Sequence, residues 1–165
     1  MTQDDWVTLA FYVLSVGLVG SALAVVALPR IVHSALSMVV FFLAIAGIYV
    51  LLQAEFIAAV QVMIYVGAIT VLFLFAIMLT HRSYAPDSNP PNSQRIPAGL
   101  AALAVLATLL LALSTATWKV GGQVPADVTA QIGRLMLGEF VLPFEAVALL
   151  LLAALIGAIV IARED

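Results

Sequence analysis

Cysteine is absent from the 165 residues, and charged side chains make up only 9% of them. The first absence removes thiolate iron–sulfur ligation, disulfide staples and cysteine nucleophiles from the chemistry of this chain. The second removes the surface of a water-soluble fold, in which about a quarter of residues are charged. The basic residues are few and scattered, six lysines and arginines against nine aspartates and glutamates. A polyanion needs a clustered basic face, so nucleic acid is not expected as a partner. The sequence also lacks a P-loop, a dinucleotide glycine fingerprint and a cluster of metal-ligand side chains. No catalytic residue, no metal site and no cofactor of its own is expected on this chain.

What is present is apolar, 65% of the residues, and it comes in long blocks. A helix needs about 20 apolar residues to cross a bilayer. Blocks of that length fall at residues 6–28, 31–52, 56–80, 97–116 and 141–162. Every backbone polar group must be satisfied within lipid, and unbroken runs of this length do not fit the alternating strands of a membrane barrel. The expected fold is therefore one all-α integral membrane domain, residues 1–165, with five transmembrane helices. The first block follows Asp4 and Asp5 and lacks the basic start of a signal peptide, so it is expected to be a retained span.

Pro29 and Arg30 separate the first two blocks, and Gln53, Ala54 and Glu55 separate the next two. Turns this short predict an antiparallel series. The loops at 81–96 and 117–140 are longer. HRSYAPDSNPPNSQR reads as irregular exposed chain. ADVTAQIGRLML predicts a short amphipathic helix capped by Asp127 or Thr129, with Val128, Ile132, Leu135 and Met136 on one face. Five spans place Arg30, Arg82, Arg95 and Arg163 on one side, and Lys119 and Arg134 on the other with Asp4, Asp5 and Glu55. The positive-inside bias puts the N-terminus outside and the C-terminus in the cytoplasm.

The third block carries polar groups through its middle, in QVMIYVGAITVLFLF. Gln61 and Tyr65 lie about 40° apart on an α-helix and are expected to reach along one face or to a shared partner. Two uses compete, hydrogen-bonded helix packing and contact with water on a proton path. Gly67 either permits close helix approach or marks irregular backbone such as a π-bulge. Thr70 is expected to return its hydroxyl to the carbonyl four residues back. Glu145, just after Pro143, reads either as a helix-start carboxylate or as a membrane acid that meets a partner or influences protons. Glu55 reads as a boundary acid at the start of the third span. His33 reads as a helix-terminal or subunit-contact residue. A self-sufficient ion pump needs several ionisable groups in series, which this chain does not have, so it looks like one part of a larger membrane assembly.

Three stretches, LPRIVHSALSMV, AEFIAAVQVMIYVGAITVLFLFAIML and GEFVLPFEAVALLLLAALIGAIVIARED, resemble the J subunit family of respiratory complex I, the proton-pumping NADH:quinone oxidoreductase. The mitochondrial and photosynthetic counterparts of that subunit belong to the same family. The resemblance implies a subunit without a redox centre, set among the other membrane-arm subunits (A, H, K and the antiporter-like chains) of a bacterial inner membrane or a thylakoid-type membrane. FMN, iron–sulfur clusters and quinone belong to the rest of such a complex. It further implies a π-bulge at Tyr65, Val66 and Gly67 in a third span that rotates to open and close a water connection. Gln61, Tyr65, Glu145 and Glu55 become the membrane polar and proton-path candidates. Some bacterial members have Glu at the position of Gln61, and an amide cannot carry a proton as a carboxylate does. The ending of the chain is similar to the photosynthetic branch, which leaves NADH and reduced ferredoxin both open as electron donor. A purely structural subunit, or a small subunit of a related antiporter or hydrogenase complex, is the alternative.

Overall fold

The computed structural model describes residues 3–80, 94–117 and 127–163, and no strand occurs among them. The elements are α1 (Gln3–Ala27), α2 (Ile31–Leu51), α3 (Glu55–Val60), a π-helix (Gln61–Thr70), α4 (Val71–Leu79), α5 (Arg95–Thr115), α6 (Val128–Leu137) and α7 (Val141–Ala162). Five helical stretches are long and apolar enough to cross a membrane, with α3, the π-helix and α4 forming the third, Glu55–Leu79. The chain is a multi-pass membrane protein. Arg82 and Lys119, on which the orientation argument leans, lie outside the described residues, as does the side chain of Asp4.

The first three spans are tied by turns that satisfy their own backbone. Pro29 lacks an N–H and disfavours helical geometry in the residue before it, so α1 ends at Ala27. Arg30 is extended (φ −95°, ψ 114°) and starts α2. The Ser34 hydroxyl then donates back across the turn to the Val25 carbonyl, one of the acceptors left open at the end of α1. At the far end of α2, Gln53 takes φ 57°, a left-handed conformation that glycine fills more easily. It is held there because the Ala54 N–H reaches the Tyr49 carbonyl (2.9 Å) and the Gln53 N–H reaches the Val50 carbonyl (3.0 Å). That is the Schellman pattern, and it reverses the chain within three residues.

Packing among these spans rests on small side chains. The buried residues are Ser21, Ala35, Ala44, Ala46, Ala58, Gln61 and Thr70. Lipid is as apolar as leucine, so helices associate in it through close van der Waals contact, which small residues allow. Gly47 shows the demand directly: a Cβ there would lie 2.8 Å from Leu14 Cδ2. The large apolar side chains point outward instead, as they do on a protein whose surroundings are hydrocarbon.

The last two spans behave differently. α5 touches no other element among the described residues, and α7 touches only α6. None of the apolar window of either helix is buried. α6 also touches α3, so this short helix bridges the start of the third span to the fifth. It lies inside the region expected to be loop, as the amphipathic pattern predicts. Asp127 stands at its N-cap but makes no side-chain capping bond, because its backbone (φ −117°, ψ 51°) is not that of a capping residue. Arg95 and Ile96, expected in the preceding loop, already belong to α5, since both precede Pro97 in a first turn that needs no N–H partners.

The corner between α6 and α7 depends on Gly138. A Cβ at that position would lie 2.9 Å from the Arg134 carbonyl oxygen, and backbone cannot swing aside as a side chain can. Gly138→Ala is expected to destabilise the membrane-extracted protein by about 1–3 kcal/mol, the usual range for overpacking. Gly99→Ala, where nothing lies within 4 Å, serves as the neutral control. Thermal melts of the two variants in detergent check this pair.

Candidate functional site in the third span

The ten residues Gln61–Thr70 form a π-helix between two α-helical pieces. Helices with i→i+5 bonding are rare and are found mostly as single-turn insertions at functional sites. Burial traces the same irregularity. From Gln61 onward the least exposed positions are Gln61, Val66, Thr70, Leu74 and Ile77. The five-residue step from Gln61 to Val66 is one more than an α-helix takes to return to the same face. One extra residue is accommodated there, and everything after it is turned relative to what precedes it.

This separates two side chains that α-helical spacing groups together. Gln61 is turned inward, 7% exposed, whereas Tyr65 sits at the edge of the face, 43% exposed. The Tyr65 ring packs on Phe42 of α2 at 5.3 Å between centroids and an angle of 51°. Such tilted pairs add about 0.5–1.5 kcal/mol beyond the area they bury. The expectation of a shared partner is corrected accordingly: the wider turn carries Tyr65 off the line of Gln61. The Gln61 amide makes no hydrogen bond with any described residue. No amide atom is fully enclosed without a partner, so the head of the side chain remains reachable from outside the chain.

Thr70 also departs from expectation. Its hydroxyl donates to the Tyr65 carbonyl, five residues back, at 2.5 Å. Ser21, Ser37, Thr108 and Thr115 reach the carbonyl four residues back, as a regular α-helix allows. The longer step is the side-chain counterpart of the π-helical backbone. Gly67 lies inside the π-helix and is exposed. A Cβ on it would meet only the Val62 carbonyl oxygen, at 3.4 Å, so no neighbouring helix among the described residues uses the glycine for close approach. Its place in irregular backbone is the reading that the geometry supports.

The two acids stand apart from this centre. Glu55 is the first residue of α3, exposed, in the first turn where a carboxylate meets the positive end of a helix. It borders a cavity of about 670 Å³ shared with Asp127, Thr129 and Ile132 of the α6 end. Glu145 is the fifth residue of α7, beyond the first turn, and α7 has no acid within that turn. The pull of the helix dipole on Glu145 is therefore weaker than on Glu55, because it falls off within the first turn. Its exposed carboxylate lies on a helix that does not touch the third span among the described residues. His33 is exposed near the start of α2, and its carbonyl accepts the Ser37 hydroxyl at 2.9 Å. Sequence reasoning missed Phe42, which one apolar residue among many did not signal, and the enclosure of Thr70, which only an assumed extra residue would reveal.

No three His, Asp or Glu side chains converge to hold a metal among the described residues. The arrangement presents polar groups along an irregular stretch of helix. It offers no nucleophile with an attendant base. This defines a membrane subunit whose polar groups need neighbours outside the chain. Residues 21–161 match the family model of NADH-ubiquinone/plastoquinone oxidoreductase chain 6, and the chain belongs to that family. It is 43% identical over 160 residues to the NAD(P)H-quinone oxidoreductase subunit 6 of the organellar chromatophore of Paulinella chromatophora, covering 95% of this chain and 78% of the relative. It is 40% identical to the chain 6 protein of Leptolyngbya boryana, covering 94% and 79%. With the chloroplastic subunit 6 of Nephroselmis olivacea the identity is 41%, covering 92% and 90%.

Gln61 offers a direct test of the site's energetics. Removing an amide that has no bond within the chain leaves no donor or acceptor orphaned inside it. Gln61→Leu is thus expected to change the stability of the extracted protein by less than about 1 kcal/mol. Gln61→Ala, which deletes volume from a buried position, is expected to cost about 2 kcal/mol or more by analogy with other large-to-small changes. Chemical or thermal unfolding of the two variants, side by side, separates volume from hydrogen bonding.

Proposed function

We propose that this chain is a non-redox membrane-arm subunit of a proton-pumping NAD(P)H:quinone oxidoreductase, and that its third span is a gating element coupling quinone reduction to proton translocation. The observation that carries the proposal is the π-helix Gln61–Thr70, placed in the middle of an otherwise α-helical membrane span. Coupling at a distance needs an element with two discrete arrangements whose balance both sites bias. A π-helix that relaxes to α-helix is such an element. Losing the extra residue turns the following piece by about 100°. In that motion Tyr65, Val66 and Gly67 change their facing, and the polar groups of Gln61 and Tyr65 gain or lose contact with water. Gln61 orders water in this scheme and does not itself titrate. The subunit supplies conformation and hydration, and the electron chemistry belongs to FMN, iron–sulfur clusters and quinone elsewhere in the complex.

Its partners in this reading are the A, H, K and antiporter-like subunits of the membrane arm. The bare faces of α5 and α7 support it, since a lone carboxylate such as Glu145 cannot stand against lipid without cost. The N-terminus lies outside and the C-terminus in the cytoplasm. The cyanobacterial and plastid relatives favour the photosynthetic branch, in which reduced ferredoxin is the alternative donor.

Three substitutions test the gate. Gly67→Leu, at an exposed site with room for a side chain, is expected to lower proton pumping by about tenfold while leaving assembly near normal, because it perturbs a moving backbone more than a packed interface. Parallel loss of assembly and pumping would instead support a purely structural subunit. Glu145→Gln is expected to retain most pumping and Glu145→Leu to lose it, if the acid serves as a hydrogen-bond partner. Proton uptake and quinone reduction measured in reconstituted vesicles, with assembly scored on native gels, provide the three readouts.

A further inference from the structure

A π-helical and a continuous α-helical third span would place different side chains in the same enclosed slot. In the π-helical register the inward positions after Gln61 are Val66, Thr70, Leu74 and Ile77. With the Gln61 end held, a continuous α-helix would carry Tyr65, Ile69, Phe73 and Ala76 to those places. Thr70 is fully enclosed, 0% exposed, while Ile69 beside it is 43% exposed. The slot that now closes around a threonine would have to accept an isoleucine.

Hydrogen bonding does not choose between the registers. In the π-helix the Thr70 hydroxyl donates to the Tyr65 carbonyl. In an α-helix it would donate to the Val66 carbonyl, as Thr108 does to Ala104 and Thr115 to Leu111. The hydroxyl has an acceptor either way. The hydrophobic effect does not choose either, because turning Ile69 toward lipid carries no penalty in hydrocarbon. Fit within the slot is what remains.

We propose that the adjacent pair Ile69–Thr70 is the register key of the third span: the enclosed slot is sized for Thr70, and the larger Ile69 makes the α-helical register the less occupied one. The pair thereby sets the resting balance of the gate, and the proposal rests on the gating reading above. Ile69 and Thr70 act here as positioning residues, through the backbone of the span.

The test uses the intact complex, imaged by electron cryomicroscopy, with particles sorted by the backbone of residues 61–70 and proton pumping per quinone reduced measured on the same preparations. Thr70→Ile overfills the slot, and Ile69→Thr gives the α-helical register a side chain that fits. Each is expected to lower the π-to-α ratio by about tenfold, the scale of a small misfit in a packed site. Thr70→Val keeps the shape and drops a hydroxyl that has an acceptor in its own helix in either register, and should stay within about twofold of the native ratio. An unchanged ratio in Ile69→Thr overturns the key, and so does a shift in Thr70→Val as large as in Thr70→Ile. If Thr70→Ile fails to assemble, the other two variants still decide. A shifted ratio with unchanged pumping per quinone keeps the key and overturns the gate.

Discussion

Within hydrocarbon a backbone N–H or carbonyl has no water to turn to, and the rest of this structure follows from that constraint. It enforces helix along every span, and it confines the turns to places where the chain can satisfy itself. The Ser34 hydroxyl on the Val25 carbonyl and the Schellman pairing at Gln53 are the two local solutions. It also explains why the irregularity in the third span is a π-helix and not a break. An inserted residue can be absorbed by changing which carbonyl each donor reaches, with every group still served. The Thr70 hydroxyl makes the same change of step, five residues back where those of Ser21, Ser37, Thr108, Ser114 and Thr115 reach three or four.

Where backbone bonding is fixed, packing decides between arrangements. The core of the first three spans is built of alanine, serine and threonine, with Gln61 as the one long side chain. Small residues bring helix axes close, but they also define slots with little tolerance. Gly47 against Leu14 and the closed surroundings of Thr70 are two such places. A site of this kind is sensitive to side-chain size, as an apolar surface facing lipid is not. Tyr65 on Phe42 adds a contact specific to one facing of the span.

The architecture was largely legible in the sequence because it is written in length and apolarity. Pro29 marks the first turn by chemistry alone, and the amphipathic pattern of 128–137 stands out against spans that are apolar all round. The site was much less legible. In a segment such as VLFLFAIML every face is apolar, so periodicity cannot say which residue points inward. The inward face is picked out by smallness, and smallness recurs too often to fix a register. Spacing therefore grouped Gln61 with Tyr65 and sent the Thr70 hydroxyl to the wrong carbonyl. Both errors have one origin, the assumption of a regular α-helix. Resemblance to a family drew attention to Tyr65–Gly67, which composition alone never would.

The division between the first three spans and the last two carries the argument one step further. The first three spans hold together through close contacts, whereas among the described residues α7 is joined to them only through α6 and α3, and α5 touches no other element. A chain built this way does not define its own outer surface; its neighbours do. α5 is suited to that, since Thr108, Ser114 and Thr115 all spend their hydroxyls on their own helix. α7 is not, because Glu145 has no partner within reach among the described residues. Two of the polar groups that make no hydrogen bond among the described residues, the Gln61 amide and the Glu145 carboxylate, thus sit on opposite sides of that division. One belongs to the span that carries the π-helix and the other to a span that touches only α6 among the described residues. Signals that pass between them would have to run through α6 or through a partner subunit, and α6 begins at the foot of the third span, beside Glu55.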